Sequence, residues 1–267
     1  AADPIRGVAF ARGSTLGLLR EGVVSPTERK KLGDGVVRLY GPQGRRLGWE
    51  AKPGESAEVG LRRAATQDVL ARVGRHPATR REALGRGRIW LGLDKARGGD
   101  VLDPELRGLA LVVAVEDGGK ESWEAAKAKL GSTDDALLRR QLLVALASAT
   151  TDEAAERSRE LVFDDAIRPG EVLRYLFTLA SVVEQRPAFW AWMQRQLPRL
   201  KERVPEGVRG YVPILTQGLC DAKLIPEVRA AFQPHLPSML GAPRSLENAV
   251  EHIAICSAVK TKIRARP

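Results

Sequence analysis

The chain has 267 residues, 43% hydrophobic and 28% charged, with a formal net charge of +10. That balance is too apolar for a disordered chain, and folding at this length buries roughly three quarters of the unfolded surface. No apolar run approaches the roughly 20 residues that span a bilayer; the longest is Leu109 to Val115.

Residues 1–50 are the weakest pattern and read as a lead-in. Asp3 to Leu19 suggests a loop and a short helix, and Ser25-Pro26 opens a helix that Gly33 and Gly35 weaken. From residue 51 onward the sequence is a succession of helical patterns. Leu61, Ala65, Val69 and Val73 form an apolar stripe ended by Gly74. Gly85-x-Gly87 predicts a flexible break, because it follows no strand and so makes no phosphate loop. Asp103-Pro104-Glu105 is a strong helix start, followed by Leu106, Leu109 and Val113 and an exit at Gly118-Gly119. Over 132–149, Ser132 is placed as the cap. Leu138, Leu142, Ala145 and Ala149 lie on one face, widened by Leu137, Leu143 and Leu146. Thr150 with Glu153 reads as a capping box, and its helix buries Ala154, the Arg157 stem, Leu161 and Val162. Pro169, Pro187, Pro205 and Pro243 each open a further helix. Trp190 is expected to pack inward with Met193 and Leu197, and Trp192 to lie in a groove between hairpins.

Strand signals are nearly absent. Helix pairs recurring every 35–40 residues or so predict an all-α fold, a superhelical stack of antiparallel helix pairs of the HEAT or armadillo kind. The whole of 1–267 reads as a single accessory domain, with 1–50 as lead-in and 51–267 as helical repeats.

The charge is uneven. Residues 1–100 hold 20 Lys/Arg against 11 Asp/Glu, and residues 101–267 hold 23 against 22. The densest cluster is Arg72, Arg75, Arg80, Arg81, Arg86, Arg88, Lys95 and Arg97. It suits either an anionic partner or a solvated face.

Catalytic patterns are missing. His76, His235 and His252 stand far apart, and no H-E-x-x-H occurs. Ser14 sits in no nucleophile elbow. Asp134-Asp135 and Asp164-Asp165 read as a helix start and a helix end. Catalytic and metal residues are therefore expected to be none. Cys220 and Cys256 read as two buried small hydrophobes, without a disulfide, which places the chain in a reducing compartment, the cytoplasm. A start at Ala1-Ala2-Asp3-Pro4, with methionine only at Met193 and Met239, leads to the expectation of a piece of a longer or processed protein. Its first residues lack the apolar core of a signal peptide.

Four segments carry a family resemblance. They are Asp134-Asp135-Ala136-Leu137-Leu138-Arg139-Arg140, Arg186-Pro187-Ala188-Phe189-Trp190-Ala191-Trp192-Met193, Gly218-Leu219-Cys220-Asp221 with Val228 to Phe232, and Gly241-Ala242-Pro243 through Ile253. In this order and spacing the chain resembles the C-terminal helical domain of M1-type zinc aminopeptidases, the aminopeptidase N group. The likeness is good over 130–260 and extends loosely back to Gly13-Ser14-Thr15-Leu16-Gly17-Leu18-Leu19. The resemblance implies a non-catalytic domain that encloses the substrate cavity and gates peptide access. It implies the catalytic domain of the same parent chain and the peptide substrate as partners. This chain would carry no cofactor of its own, and zinc would sit in the upstream catalytic domain. Arg139 and Arg140 are the candidate contacts to a peptide carboxylate. The alternative is a HEAT-like nucleic-acid-binding or scaffolding domain, using the basic cluster and exposed tryptophans. Nucleic acid is the less favoured partner, because residues 101–267 are near neutral.

Overall fold

The computed structural model describes residues 23–95 and 102–264. The expected lead-in of Asp3 to Leu19, the Gly13–Leu19 match, Ser14 and Arg97 lie outside the described residues. Within them the fold is all-α, with no strand. The chain divides into two compact units.

The first unit takes in Ser25–Ser148. It opens with α1 (Pro26–Leu47), where Ser25 and Glu28 form a reciprocal capping box and Pro26 starts the first turn. The helix that Ser25-Pro26 was expected to open runs unbroken through Gly33 and Gly35. The helix runs 22 residues because its glycines serve packing. A side chain at Gly44 would place its Cβ 2.4 Å from the Leu70 Cδ1. Next come α2 (Ala57–Asp68) and a π-helical turn at Val69–Val73. The extra residue in that turn re-phases the stripe. Leu61 is 54% exposed, because the buried face of α2 runs through Arg63, Thr66 and Gln67 on its other side; Val69 and Leu70 are buried too.

Helices α3 (Pro77–Trp90), α4 (Pro104–Asp117), α5 (Gly119–Gly131) and α6 (Ala136–Ala147) complete the unit. The central helix is α4. It packs against α2, α3, α5 and α6, and residues 109–115 are all buried. A helix apolar on every side belongs in a core. Gly85 and Gly87 lie inside α3, so the expected break is absent. At Gly87 the reason is close approach: an added Cβ would stand 2.4 Å from the Ala110 carbonyl oxygen of α4. The start of α6 also differs in detail. Asp135, one residue before the helix, is the cap, its carboxylate accepting from the Leu138 N–H at 2.7 Å. Ser132 instead closes α5. Leu137 then falls on the outer face, 56% exposed. The neighbour-to-neighbour packing of α3 through α6 is the order a helical repeat produces.

The second unit takes in Ala149 onward together with Val23 and Val24. Its helices are α7 (Asp152–Glu160), α8 (Val172–Ser181), α9 (Arg186–Arg203), α10 (Ile225–Phe232) and α11 (Ala242–Arg264). Thr151, not Thr150, precedes α7, and its side chain makes no cap bond. Pro205 opens a 3-10 run over Glu206–Leu219 rather than an α-helix. This run packs along α11 and also touches α8 and α9. Tyr175 is fully buried; its hydroxyl donates to the Ser158 carbonyl, and burial holds its phenol above the usual pKa. The Arg203 guanidinium donates to the carbonyls of Val162 and Asp164, both at 2.9 Å, and fastens the end of α9 over the α7–α8 connection.

Cys220 and Cys256 form a disulfide, with Cα atoms 5.0 Å apart. This corrects the reading of two free buried thiols. The bridge ties the end of the 3-10 run to α11, and Val23 and Ile263 pack around it. Both sulfurs sit in otherwise helical patterns 36 residues apart, so local spacing carried no sign of the pairing.

Candidate functional site

The three histidines do not converge. His76 caps α3, with its Nδ1 accepting from the Thr79 N–H. His252 lies against the Gln217 carbonyl at 3.2 Å. His235 is half-buried, and burial, then the nearby Lys201, lower its pKa. Among the described residues, no three His, Cys, Asp or Glu side chains come together in a way that could hold a metal ion. Asp135 is a cap, and the Asp164 carboxylate accepts from the Ala166 N–H at 2.8 Å within a turn.

The basic cluster is mostly spent inside the fold. Arg80 pairs with Asp117 at 2.6 Å and Glu116 at 2.8 Å. Arg86 pairs with Glu82 at 2.8 Å and Glu50 at 3.0 Å, and lies over the Trp49 ring. Arg88 pairs with Asp94 at 2.8 Å and Glu121 at 3.1 Å, and its hydrogen bond draws the Asp94 carboxyl below the usual range. Arg75 reaches Glu116 at 3.2 Å, and Arg72 reaches Asp68 at 3.8 Å. Arg75, Arg80, Arg86 and Arg88 thus tie separate segments together, while Arg72 pairs along its own helix and Arg81 is exposed.

Trp190 and Trp192 are 5% and 4% exposed, so neither offers a face for stacking bases. Trp190 packs inward as expected, its indole N–H donating to Glu227 at 2.7 Å. Trp192 is core as well, against Phe163 and Phe189, with its N–H on Glu160 at 2.8 Å.

Arg139 and Arg140 differ sharply although adjacent. Arg139 is 3% exposed, and its Nη1 donates to the Leu130 carbonyl at 2.8 Å and the Thr133 carbonyl at 3.1 Å. It holds the end of α5 to the start of α6. Arg140 is exposed on the outer side of α6.

One open cleft of about 360 Å³ lies in the second unit. Its apolar walls include Val183, Trp190 and Leu219, and Arg186, Asp221 and Lys260 supply the charges. The Arg186 Nη1 donates to the Gly218 carbonyl at 2.8 Å. Sequence reasoning missed this cleft. Its residues come from α9, the end of the 3-10 run and α11, with no local motif.

The sequence profile described as the ERAP1-like C-terminal domain matches residues 13–255. The chain belongs to that family. It is therefore the C-terminal domain of an M1 aminopeptidase, and the all-α fold agrees with the resemblance seen in the four segments. The catalytic domain of such an enzyme is the partner that this membership implies. Among the described residues no helix is long and apolar enough to cross a membrane.

Proposed function

We propose that this chain is the non-catalytic domain that encloses the substrate cavity of a zinc-dependent M1 aminopeptidase and gates the entry of peptide. The observation that carries this reading is the family match across residues 13–255. The side-chain chemistry supports it. The charged groups of the first unit lock helices to one another, which suits a rigid wall rather than a reacting centre. A wall acts on turnover through access and product release. Zinc and bond cleavage belong to the catalytic domain upstream.

Peptide contact falls to Arg140. Its guanidinium is free to take a carboxylate in the two-point manner arginine favours, while Arg139 fixes the turn that presents it. Arg140→Ala in the intact enzyme is expected to raise KM for peptides of several residues by about two- to fivefold, as for one exposed ion pair. It should leave KM for a single-residue chromogenic substrate unchanged. Equal effects on both substrates would remove Arg140 from the peptide path. The compartment we infer is also revised: the Cys220–Cys256 bridge favours an oxidising environment over the cytoplasm.

A further inference from the structure

A row of exposed cations lies on α1, outside the cluster that dominates the sequence, while Arg81, Lys120 and Arg140 stand exposed on other helices of the first unit. Lys31, Arg38 and Arg45 are exposed and recur every seven residues along α1 (Pro26–Leu47). At 3.6 residues per turn, that spacing keeps them within about 40° of one another, each about 10 Å from the next. Arg46 joins the same side. None of the four makes an ion pair among the described residues, in contrast to Arg72, Arg75, Arg80, Arg86 and Arg88. Asp34, at the edge of the row, is neutralised by Lys30 at 2.9 Å.

Two apolar residues share the exposed face with this row, Pro42 about 20° and Leu39 about 80° around the helix from Lys31. Leu39 is 68% exposed and Pro42 is exposed one turn later. A purely ionic partner gains nothing from them. A surface that places anions over an apolar interior gains from both.

We propose that the exposed face of α1 is a peripheral contact for anionic lipid headgroups, with Lys31, Arg38, Arg45 and Arg46 meeting the phosphates and Leu39 entering the layer beneath. Four cations and one leucine make a reversible, salt-sensitive contact, well short of an anchor.

Co-sedimentation of the full chain with vesicles tests this. Binding is expected to vesicles of phosphatidylcholine containing about one third phosphatidylglycerol and not to phosphatidylcholine alone, and to fall as salt rises from about 0.1 to about 0.5 M. The triple variant Lys31→Gln, Arg38→Gln, Arg45→Gln should lose about a hundredfold in affinity, at roughly fivefold per cation. Its unfolding midpoint should not move, since these side chains have no internal partners. Leu39→Ser keeps every charge and should lose ~5-fold. Equal binding to both vesicle types would overturn the proposal. So would a Leu39→Ser variant that binds as the parent does, or tighter binding to duplex DNA or polyglutamate than to the anionic vesicles. Those results would assign the row to a nucleic acid or to an acidic protein.

Discussion

Replacing Arg63 with alanine is expected to lower the unfolding free energy by about 3–5 kcal/mol, the range for breaking a buried ion pair by removing one partner. Arg63 is fully buried. Its Nε donates to the Leu47 carbonyl at 3.0 Å, its Nη2 pairs with Glu55, and Asp103 lies 3.9 Å from its Nη1. One side chain thus ties the end of α1, the loop before α2 and the start of α4 to α2. Alanine leaves a cavity, an unpaired carbonyl and two carboxylates facing an empty site. Arg63 also holds the Glu55 carboxyl below its usual range, so part of the lost stability is present above the ordinary carboxylate pKa and fades as pH falls through the lowered one. Arg63→Met restores volume without charge and should fall between alanine and the parent. Urea unfolding with an unchanged slope would report the loss as stability alone. A loss under about 1 kcal/mol would mean that the site relaxes to solvent and that the ties are superficial.

The second large effect is expected at the disulfide. Cys220→Ser with Cys256→Ser frees a closed loop spanning 36 positions. Loop-closure entropy for that length puts the cost at about 3–4 kcal/mol, with a fall in Tm of roughly 10 °C. The loop spans α10 and the opening turns of α11, and the bridge itself lies beside the cleft that Arg186 and Lys260 line. Thermal melting of the double variant, and of the parent chain with and without a thiol reductant, checks this. The parent in reductant should melt with the variant. A parent unaffected by reductant, and carrying two alkylatable thiols when native, would show the bridge to be absent in solution.

Much of the fold was legible because helix starts are local. Asp103-Pro104-Glu105 and Ser25-Pro26 declare α4 and α1 through a cap and a proline at the first turn. The stripes of α4 and α9 were equally plain, since a period of 3.6 needs no knowledge of the partner. What failed depended on a neighbour. Gly85 and Gly87 of α3 read as a break because propensity counts their entropy and cannot see Ala110 pressed against Gly87. Leu61 was assigned to a buried stripe because the face that α2 buries is polar, built of Arg63, Thr66 and Gln67, and Leu137 because Asp135, not Ser132, sets where α6 begins.

The functional residues followed the same division. The family followed from four ordered segments. The meaning of the arginines could not be read in that way. Arg80 and its carboxylates are 36 and 37 residues apart, and only folding puts them within 2.8 Å. Arg139 and Arg140 are neighbours in sequence, yet one props a turn and the other faces water. The row on α1 was hidden among counted charges until its neighbours proved to be paired.

The most direct test of the accessory-domain assignment is to incubate the purified chain with zinc and leucine para-nitroanilide. The chain is expected to release no nitroaniline above the zinc blank. Saturable, zinc-dependent turnover by the chain alone would contradict its assignment as a wall around another domain's active site.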